Sequence, residues 1–351
     1  MQLSDFPCAG GEWLKGDGPE SDIVVSSRVR LARNLAGHNF VTRAESRELG
    51  EIESEVGGHL REREERFSKL YYRMAELSEV ERLVLVERHL ISREHASGDT
   101  GRAVAVSDDE SLSIMINEED HLRMQVLRSG FRLTEAWKEI DELDDKLSTR
   151  FQFAFTPKLG YLTACPTNVG TGMRVSVMLH LPALVLTREI EKVFRAVSKI
   201  NLAVRGLYGE GTEAYGDFYQ ISNQQSLGKP EEKYLENVES VVPGVISYER
   251  KARQHVLEAN RDETEDRLWR AVGMLKSARL LTSQEAMHLL SGLRLGVHIG
   301  VLPTLPASKI NELFLLTQPA HIQKMIGRTL TPQERDRARA TFVREALRSY
   351  P

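Results

Sequence analysis

The stretch Leu162-Thr163-Ala164-Cys165-Pro166-Thr167-Asn168-Val169-Gly170-Thr171-Gly172-Met173-Arg174 places a cysteine before a proline, continues as a small, polar loop and ends at an arginine. An apolar run over 175–181 follows it. An exposed cysteine is prone to oxidation, and a reactive thiolate needs nearby positive charge that lowers its pKa. Two interpretations stay open: a structural cysteine at a strand end before an ordinary turn, or a reactive cysteine beside a functional loop.

Composition narrows the class of protein. The chain has 351 residues, enough for two domains, with 41% hydrophobic and 28% charged residues and a net charge of −4. This balance is typical of globular proteins and gives no sign of nucleic-acid binding. Two cysteines, Cys8 and Cys165, exclude a disulfide framework, and the sequence has no CxxC pair for a zinc ribbon. Without a leader-like N-terminus or an apolar run of ~18 residues, we expect a cytoplasmic protein that binds no membrane.

A strand carrying two arginines is predicted near the N-terminus. The β-branched run 23–25 leads into Ser26-Ser27-Arg28-Val29-Arg30. Alternation along a strand places Arg28 and Arg30 on one face and Val29 and Leu31 on the other. Guanidinium groups bind phosphate oxygens in pairs, so a polyphosphate clamp is one interpretation. A solvated edge, with the arginines paired to carboxylates, is the other.

The remaining pattern up to residue 247 predicts an α+β fold with antiparallel strand pairing. Residues 103–106 and 112–116 form a predicted hairpin, and a further strand begins at Phe218. Helices are predicted over 45–67, 133–147 and 188–205, and a capping box at Ser78 opens another that runs to 91. His89, near the end of that helix, could contact a nucleotide or could be structural.

Carboxylates occur on two segments that also carry functional residue types. Residues 117–123 contain three acids, a histidine and Arg123, and the glycine-rich stretch 206–213 carries Glu210 and Glu213. The chain has no GxxxxGK[ST] loop and no HRD or DFG motif, so P-loop and ordinary protein-kinase chemistry are excluded. Arginines converging from several segments could neutralise a triphosphate instead. Glutamates suit a cationic acceptor such as a guanidinium, which a carboxylate must orient and deprotonate.

Four stretches, in order, resemble the motifs of the phosphagen (guanidino) kinases. They are 26–30, 117–123, 165–174, and 209–213 followed by 221–223. The resemblance implies a phosphagen-kinase-like antiparallel sheet flanked by helices, ATP as the phosphoryl donor, and Mg²⁺ bridging its phosphates. It implies Glu119 and Glu213 as catalytic carboxylates, with Cys165 beside the guanidinium. The nucleotide contacts that it implies come from Ser26, Ser27, Arg28, Val29, Arg30, His89, Arg123, Arg174, Val175, Ser176, Val177, Met178, Arg205, Gly206, Leu207, Tyr208, Gly209 and Glu210.

The chain departs from the metabolite kinases of that family. Only 25 residues precede the first motif, where those enzymes carry a helical domain that helps to select a small substrate. Tyr208 stands where they have an arginine, and Arg205 could replace it. Residues 248–351 follow the kinase motifs as a predicted α-helical domain, after a catalytic domain over 1–247. The pattern is most similar to bacterial protein-arginine kinases, whose substrates are too large to enclose.

One stretch of the helical domain has its own implication. Arg335-Asp336-Arg337-Ala338-Arg339-Ala340 is either a solvated basic helix face or, by resemblance, an RDxxRA motif that binds phosphoarginine. Arg335 and Arg339 are four residues apart and could hold a phosphate between them, while Asp336 could bind the guanidinium.

The sequence therefore predicts ATP-dependent phosphorylation of arginine side chains in proteins. Two alternatives are a kinase of a small guanidino metabolite and an inactive phosphoarginine-binding adaptor. The resemblance further implies a role in the stress response, with phosphoarginine as a mark for degradation by a Clp-type unfoldase-protease. It also implies a zinc-containing activator protein, a homo-oligomer and allosteric control by phosphoarginine.

Overall fold

A computed structural model describes residues 11–98, 100–206 and 214–351. Its centre is an eight-stranded antiparallel sheet with the strand order β2-β3-β4-β5-β1-β8-β10-β9. The strands are β1 (Val24–Arg33), β2 (Leu70–Arg73), β3 (Ala103–Val106), β4 (Leu112–Ile116), β5 (Leu122–Ser129), β8 (Met173–His180), β9 (Leu202–Gly206) and β10 (Phe218–Asn223). A separate two-stranded hairpin joins β6 (Phe155–Thr156) to β7 (Gly160–Tyr161).

The central strand β1 divides its side chains between the two faces as the alternation predicts. Val29 and Leu31 are fully buried in the first hydrophobic core, whereas Arg28 and Arg30 are half-buried on the opposite face. β1 pairs with β5 on one side and with β8 on the other. This face of the sheet carries the arginines of the candidate site, and we call it the arginine face.

Helices pack against the sheet's other face. The first core packs apolar side chains of α1, α4, α6 and α7 against the sheet, so each of these helices buries one stripe. The helices are α1 (Ser46–Arg63), α2 (Glu79–Glu87), α3 (Arg93–Ser97), α4 (Leu133–Arg150), α5 (Pro182–Leu186), α6 (Ile190–Ser198), α7 (Glu231–Ala259), α8 (Arg261–Ser277), α9 (Ser283–His298), α10 (Ala307–Leu316), α11 (Pro319–Ile326) and α12 (Pro332–Ala346).

The arginine face is covered only in part, by the helices that follow α7. Side chains of α8, α9, α10 and α12 form a second core with Leu127, Met178 and Phe218 of the sheet. A smaller third core places α2 and α3 over the β2–β4 end. Part of the face that carries the arginines remains outside these cores, so the functional side chains lie beside the C-terminal helices.

The segment between the two predicted domains is one continuous helix. The position between residues 247 and 248 lies inside α7, whose buried side chains as far as Ala252 belong to the first core. From α8 onward the buried apolar side chains of α8, α9, α10 and α12 belong to the second core, whereas Ala320 of α11 belongs to the third. No helix in the described ranges is long and apolar enough to cross a membrane.

The α+β prediction with an antiparallel sheet and a helical C-terminal region is confirmed, including the 103–116 hairpin and the Ser78 capping box. The single helix predicted over 188–205 is wrong. α6 spans only Ile190–Ser198, and Arg205 lies on strand β9. Arg188 and Asn201 both have positive φ, 58° and 59°, which interrupts helical geometry on either side of α6.

Candidate active site

Four arginines from three adjacent strands lie together on the arginine face. Arg28 and Arg30 come from β1, Arg123 from β5 and Arg174 from β8. In the antiparallel register Arg30 lies directly opposite Arg174, and Arg123 lies opposite Ala32, two residues further along β1. The charge of Arg205, on β9, also acts on Arg174. The predicted convergence of these arginines is therefore present in the fold.

The arginine cluster carries excess positive charge. Burial, together with the charges of Arg123 and Arg174, lowers the pKa of Arg28 to about 10. Burial and the neighbouring arginines also hold the pKa of Arg30 well below its usual value, and the pKa of Arg174 is lowered as well. Within the described part of the chain, the buried Nε of Arg174 has no hydrogen-bond partner. A bound polyanion would supply both the charge and the acceptors that these groups lack.

Polar neighbours fix the orientation of the guanidinium groups. Arg28 donates from Nη2 to Gln220 Oε1 at 2.5 Å, and Arg123 donates from Nη1 to Glu118 Oε1 at 2.6 Å. Sequence reasoning missed Gln220 and Glu118 as site residues. The signal for Gln220 was its alternation with Phe218 and Ser222 on β10, which places all three on one face.

Two adjacent glutamates have opposite environments. Burial opposes ionisation of Glu118, but the charge of Arg123 and a hydrogen bond from Ser92 Oγ at 2.5 Å outweigh it and lower its pKa to about 2. Glu119 is half-buried, and burial and the charges of Asp120 and Glu118 raise its pKa. Glu118 is therefore a fixed anion that holds Arg123, whereas Glu119 is suited to accepting a proton.

Cys165 lies beside Glu119 at the start of the polar loop. The Cys165 thiol lies close enough to Glu119 to offset part of the rise in the pKa of Glu119. The thiol also lies 3.0 Å from Thr167 Oγ1. Asp120 positions this segment by accepting from the Ala164 backbone N–H at 2.7 Å. Cys165 is half-buried and precedes a short 3₁₀ turn, so it does not lie at the end of a strand. It lies next to the candidate base instead.

The loop that leads to Arg174 depends on two glycines at positive φ. A Cβ on Gly170 would lie 2.2 Å from the Ser226 carbonyl oxygen, and one on Gly172 would lie 2.5 Å from that of Ala32. The loop carbonyl of Thr171 accepts from Arg33 Nη1 at 2.7 Å. The close approach of backbone to backbone therefore explains why the sequence has glycine at both positions.

The other predicted nucleotide-binding residues divide into two groups. Ser176 and Met178 share the arginine face, because they alternate with Arg174 along β8. The side chains of Val29, Val175 and Val177 lie instead in the first core on the opposite face. The sheet separates these side chains from the arginines, so only their backbone atoms could contact a nucleotide on the arginine face.

The structure also describes four further positions that were predicted to bind the nucleotide: Ser26, Ser27, Gly206 and His89. Ser26 is buried, and Ser27 is buried and donates from Oγ to the Gly130 carbonyl at 2.8 Å. Gly206 ends β9. Burial and the charge of Arg28 lower the pKa of His89 to about 3, and its ring packs edge-on against Trp13 at 5.0 Å. Leu207, Tyr208, Gly209, Glu210 and Glu213 lie outside the described residues.

The predicted phosphoarginine motif lies on α12, within the C-terminal helical region. Arg339 is 1% exposed and donates to Thr317 O at 2.6 Å, Leu281 O at 2.7 Å and Asp336 Oδ1 at 2.7 Å. It therefore fastens α12 to neighbouring segments and does not form a phosphate pincer with Arg335. Ala340 is buried, and Arg337 is exposed. Arg335, Asp336 and Ala338 stay partly accessible.

No three histidine, cysteine or carboxylate side chains come together as a metal site in the part of the chain that the structure describes. Mg²⁺ commonly binds through one or two carboxylates plus phosphate oxygens and water. The donor set is therefore compatible with a magnesium ion carried mainly by the phosphates of a nucleotide.

Comparison with known proteins agrees with this geometry. Residues 51–252 match the family model described as ATP:guanido phosphotransferase, C-terminal catalytic domain, and residues 261–351 match the protein-arginine kinase McsB C-terminal domain. A curated protein-arginine kinase of Symbiobacterium thermophilum is 49% identical over 347 residues, covering 97% of each chain. That of Halothermothrix orenii is 47% identical over 335 residues, covering 95% of this chain and 96% of its own.

Solved structures share the fold. A duplicated taurocyamine kinase from Schistosoma mansoni, with transition-state analogue components bound, is 27% identical and superposes with a TM-score of 0.59. The match covers 73% of this chain and 36% of that one. Lombricine kinase is 25% identical with the same TM-score, and the match covers 74% of this chain and 71% of that one. The chain is therefore a phosphotransferase that belongs to the protein-arginine kinase branch of the ATP:guanido phosphotransferase family.

Proposed function

We propose that this protein transfers the terminal phosphoryl group of ATP to guanidinium nitrogens of arginine side chains in proteins. The observation that carries the proposal is that two groups of opposite chemical character are electrostatically coupled. Arg123, one of the under-neutralised cluster of arginines, acts on Glu119, a carboxylate with a raised pKa. The curated relatives named protein-arginine kinase support the choice of acceptor.

The arginine cluster would bind the polyphosphate of ATP. Arg28, Arg30 and Arg174 offer guanidinium donors on a rigid sheet, and Arg123 is held in place by Glu118. Phosphoryl transfer depends mainly on positioning and on stabilising charge at the transferring group. Donors fixed on three hydrogen-bonded strands need little reorganisation during the reaction. A bound magnesium ion would add positive charge at the phosphate oxygens.

Glu119 would act on the acceptor. Its carboxylate would hold the guanidinium of the target arginine and take a proton as the nitrogen attacks phosphorus. A nitrogen–phosphorus bond forms, the bond to the oxygen of ADP breaks, and the proton passes to Glu119. Cys165, which lies beside Glu119, would line the same acceptor position. We assign Glu213 a partner role by resemblance alone, because it lies outside the described residues.

Two alternatives have less support. An inactive phosphoarginine-binding adaptor has no need of a carboxylate with a raised pKa beside an arginine cluster. A kinase of a small metabolite is the second alternative, and the solved taurocyamine and lombricine kinases resemble this fold. The curated relatives that match this chain over 97% or 95% of its length are named protein-arginine kinase instead.

Steady-state kinetics would separate these possibilities. With ATP as donor, kcat/KM should be higher for arginines in a protein than for free L-arginine, taurocyamine or lombricine. A preference for any free guanidino compound over the protein would overturn the assignment of a protein substrate. Absence of transfer to every acceptor, together with binding of phosphoarginine, would favour the adaptor.

We also propose a cellular setting, supported only by the resemblance. Phosphoarginine would mark cytoplasmic proteins for a Clp-type unfoldase-protease during stress, and a zinc-containing activator would regulate the enzyme. The enzyme would act as a homo-oligomer, and phosphoarginine would be its allosteric ligand. Because Arg339 is engaged in helix packing, we assign that ligand to Arg335 and Asp336, with Arg337 nearby.

A further inference from the structure

Helix α11 of the C-terminal region begins against a carboxylate of helix α2. Glu87, the last residue of α2, accepts from the backbone N–H of Ala320 at 2.8 Å and from that of His321 at 3.0 Å. Its Oε2 also lies 2.7 Å from Nδ1 of the His321 ring. The first N–H groups of a helix have no partner within the helix, and a carboxylate both satisfies them and complements the helix dipole. Glu87 therefore caps α11 from a distant part of the chain.

Apolar packing supports the same contact. Ala320 is buried in the third core, together with Leu85 of α2 and with Leu90 and Ile91, which follow that helix. Glu87 is buried as well. Because both the polar cap and the apolar core join α11 to the end of α2, removal of the cap should loosen one helix from the other.

The backbone that follows α2 is held in a defined conformation. His89 has a φ of 61°, and its carbonyl accepts from Gln125 Nε2 on β5 at 2.6 Å. The carbonyl of Leu90 accepts from Ser113 Oγ on β4 at 3.0 Å. A residue other than glycine keeps a positive φ only where its surroundings determine it. We call residues 87–92 the connecting segment, and we expect it to link α11 rigidly to these strands.

The connecting segment ends at Ser92, which contacts the candidate active site. Ser92 Oγ donates to Glu118 Oε1 at 2.5 Å, and Arg123 Nη1 donates to the same oxygen at 2.6 Å. The other carboxylate oxygen of Glu118 accepts from the backbone N–H of Glu119 at 3.0 Å. One carboxylate therefore joins Ser92 both to an arginine of the cluster and to the candidate base.

We propose that Glu87 and Ser92 are positioning residues through which helix α11 fixes the carboxylate of Glu118. That carboxylate in turn fixes Arg123 for the nucleotide and Glu119 for the acceptor. Chains of hydrogen bonds and packed side chains carry such coupling between distant parts of a protein. The C-terminal helical region is therefore required for the arrangement of the active site. The proposal rests on the proposed use of ATP.

A double-mutant cycle in the full chain tests the link. Calorimetry with the magnesium complex of ATP should show affinity weakened by about 5-fold or more in Glu87→Ala and in Ser92→Ala, the scale of coupling within one hydrogen-bond network. Because both residues act through the same carboxylate, Glu87→Ala should add little in a chain that already carries Ser92→Ala. Glu79→Ala, at an exposed glutamate of α2, is the matched control and should change nothing. Effects that add fully, or wild-type affinity in Glu87→Ala, would overturn the proposal.

A conservative variant separates positioning from a general loss of stability. Ser92→Thr keeps the hydroxyl and should retain the ATP affinity of the wild type. An affinity of Ser92→Thr as weak as that of Ser92→Ala would contradict a role for the hydroxyl. If Glu87→Ala fails to fold, Glu87→Gln takes its place in the cycle, because the amide keeps one oxygen for α11 and removes the other.

The outcomes distinguish this inference from the proposed function. If the wild type binds ATP and the cycle is non-additive but no arginine is phosphorylated, the proposed reaction fails while the link stands. If arginine is phosphorylated and Glu87→Ala binds ATP as the wild type does, the link fails while the reaction stands. A wild type that binds no ATP would overturn both.

Discussion

At the scale of single residues, Glu119 is the group on which the chemistry depends. Glu119→Gln keeps the size of the side chain but cannot accept a proton. We expect a loss of on the order of 10²-fold or more in kcat, the usual scale for a general base. Binding of ATP, measured by calorimetry, should change little because Glu119 does not belong to the arginine cluster. The matched control is Glu62→Gln, an exposed glutamate of α1. Near-normal kcat in Glu119→Gln would remove this residue from the mechanism.

The environment of Glu119 also predicts a pH dependence. Burial and the charges of Asp120 and Glu118 raise its pKa, and the base must be deprotonated to work. Activity is therefore retained above this raised pKa and lost as the pH falls through it. The acid limb of kcat/KM should lie above the ordinary glutamate value of about 4.3. This acid limb should be absent from the pH profile of the residual activity of Glu119→Gln. A limb at or below the ordinary value would contradict the assignment.

The residue types in the motifs indicated most of the chemistry of the site, but not which neighbouring residues hold each functional side chain in place. The acids of 117–123 and the arginines of three strands were identifiable from their motifs. Ser92 and Arg123 donate hydrogen bonds to Glu118 and not to Glu119. These contacts make Glu118 a fixed anion and leave Glu119 as the candidate base. Adjacent identical residues differ here through tertiary contacts that the motif does not encode.

At the scale of elements, a buried ion pair joins the end of β1 to helix α4, and its arginine also holds the loop before β8 through the Thr171 carbonyl. Arg33 contacts both carboxylate oxygens of Asp144, and their side chains are 2% and 10% exposed. Arg33→Ala would leave a buried carboxylate unpaired and release the Thr171 carbonyl. We expect the free energy of unfolding to fall by about 3 kcal/mol or more. Urea unfolding of the variant and the wild type measures this loss.

The matched control is the exposed pair of Arg150 and Glu55, which are 54% and 46% exposed. Arg150→Ala should lower the free energy of unfolding by about 1 kcal/mol or less. Replacing Arg33 and Asp144 together with apolar residues should recover part of the loss, since no unpaired charge would remain. If Arg33→Ala lowers the free energy of unfolding no more than Arg150→Ala does, the buried pair does not anchor the loop.

Alternation and turn signals predicted the individual strands and the hairpin, because those patterns are local. They did not predict where α6 ends. Residues 199–205 continue an apparently helical composition, but Leu202 pairs with Asn223 on β10 and the chain becomes a strand. Likewise, Asn311 meets Leu14 across 297 residues, which no local pattern could indicate.

At the scale of the whole molecule, α12 connects the phosphoarginine motif to the helices over the arginine face. Arg339 joins α12 to Thr317, directly after α10, and α10 packs against the sheet in the second core. We expect phosphoarginine to bind Glu119→Gln as it binds the wild type. Arg335→Ala should abolish that binding while leaving basal transfer largely intact, and the exposed Arg348→Ala should alter neither. Calorimetry in saturating nucleotide measures this site. Binding unaffected by Arg335→Ala would show that the motif is an ordinary charged helix.

The most direct measurement is the intact mass of an arginine-containing protein after incubation with this enzyme and ATP. A version of the same protein with every arginine replaced by lysine is the control. We predict mass increments of whole phosphoryl groups on the arginine form alone, located by fragmentation on arginine side chains and lost when Glu119→Gln replaces the wild-type enzyme. Equal phosphorylation of the lysine form, or none on either form while free guanidino compounds are phosphorylated, would contradict a protein-arginine kinase.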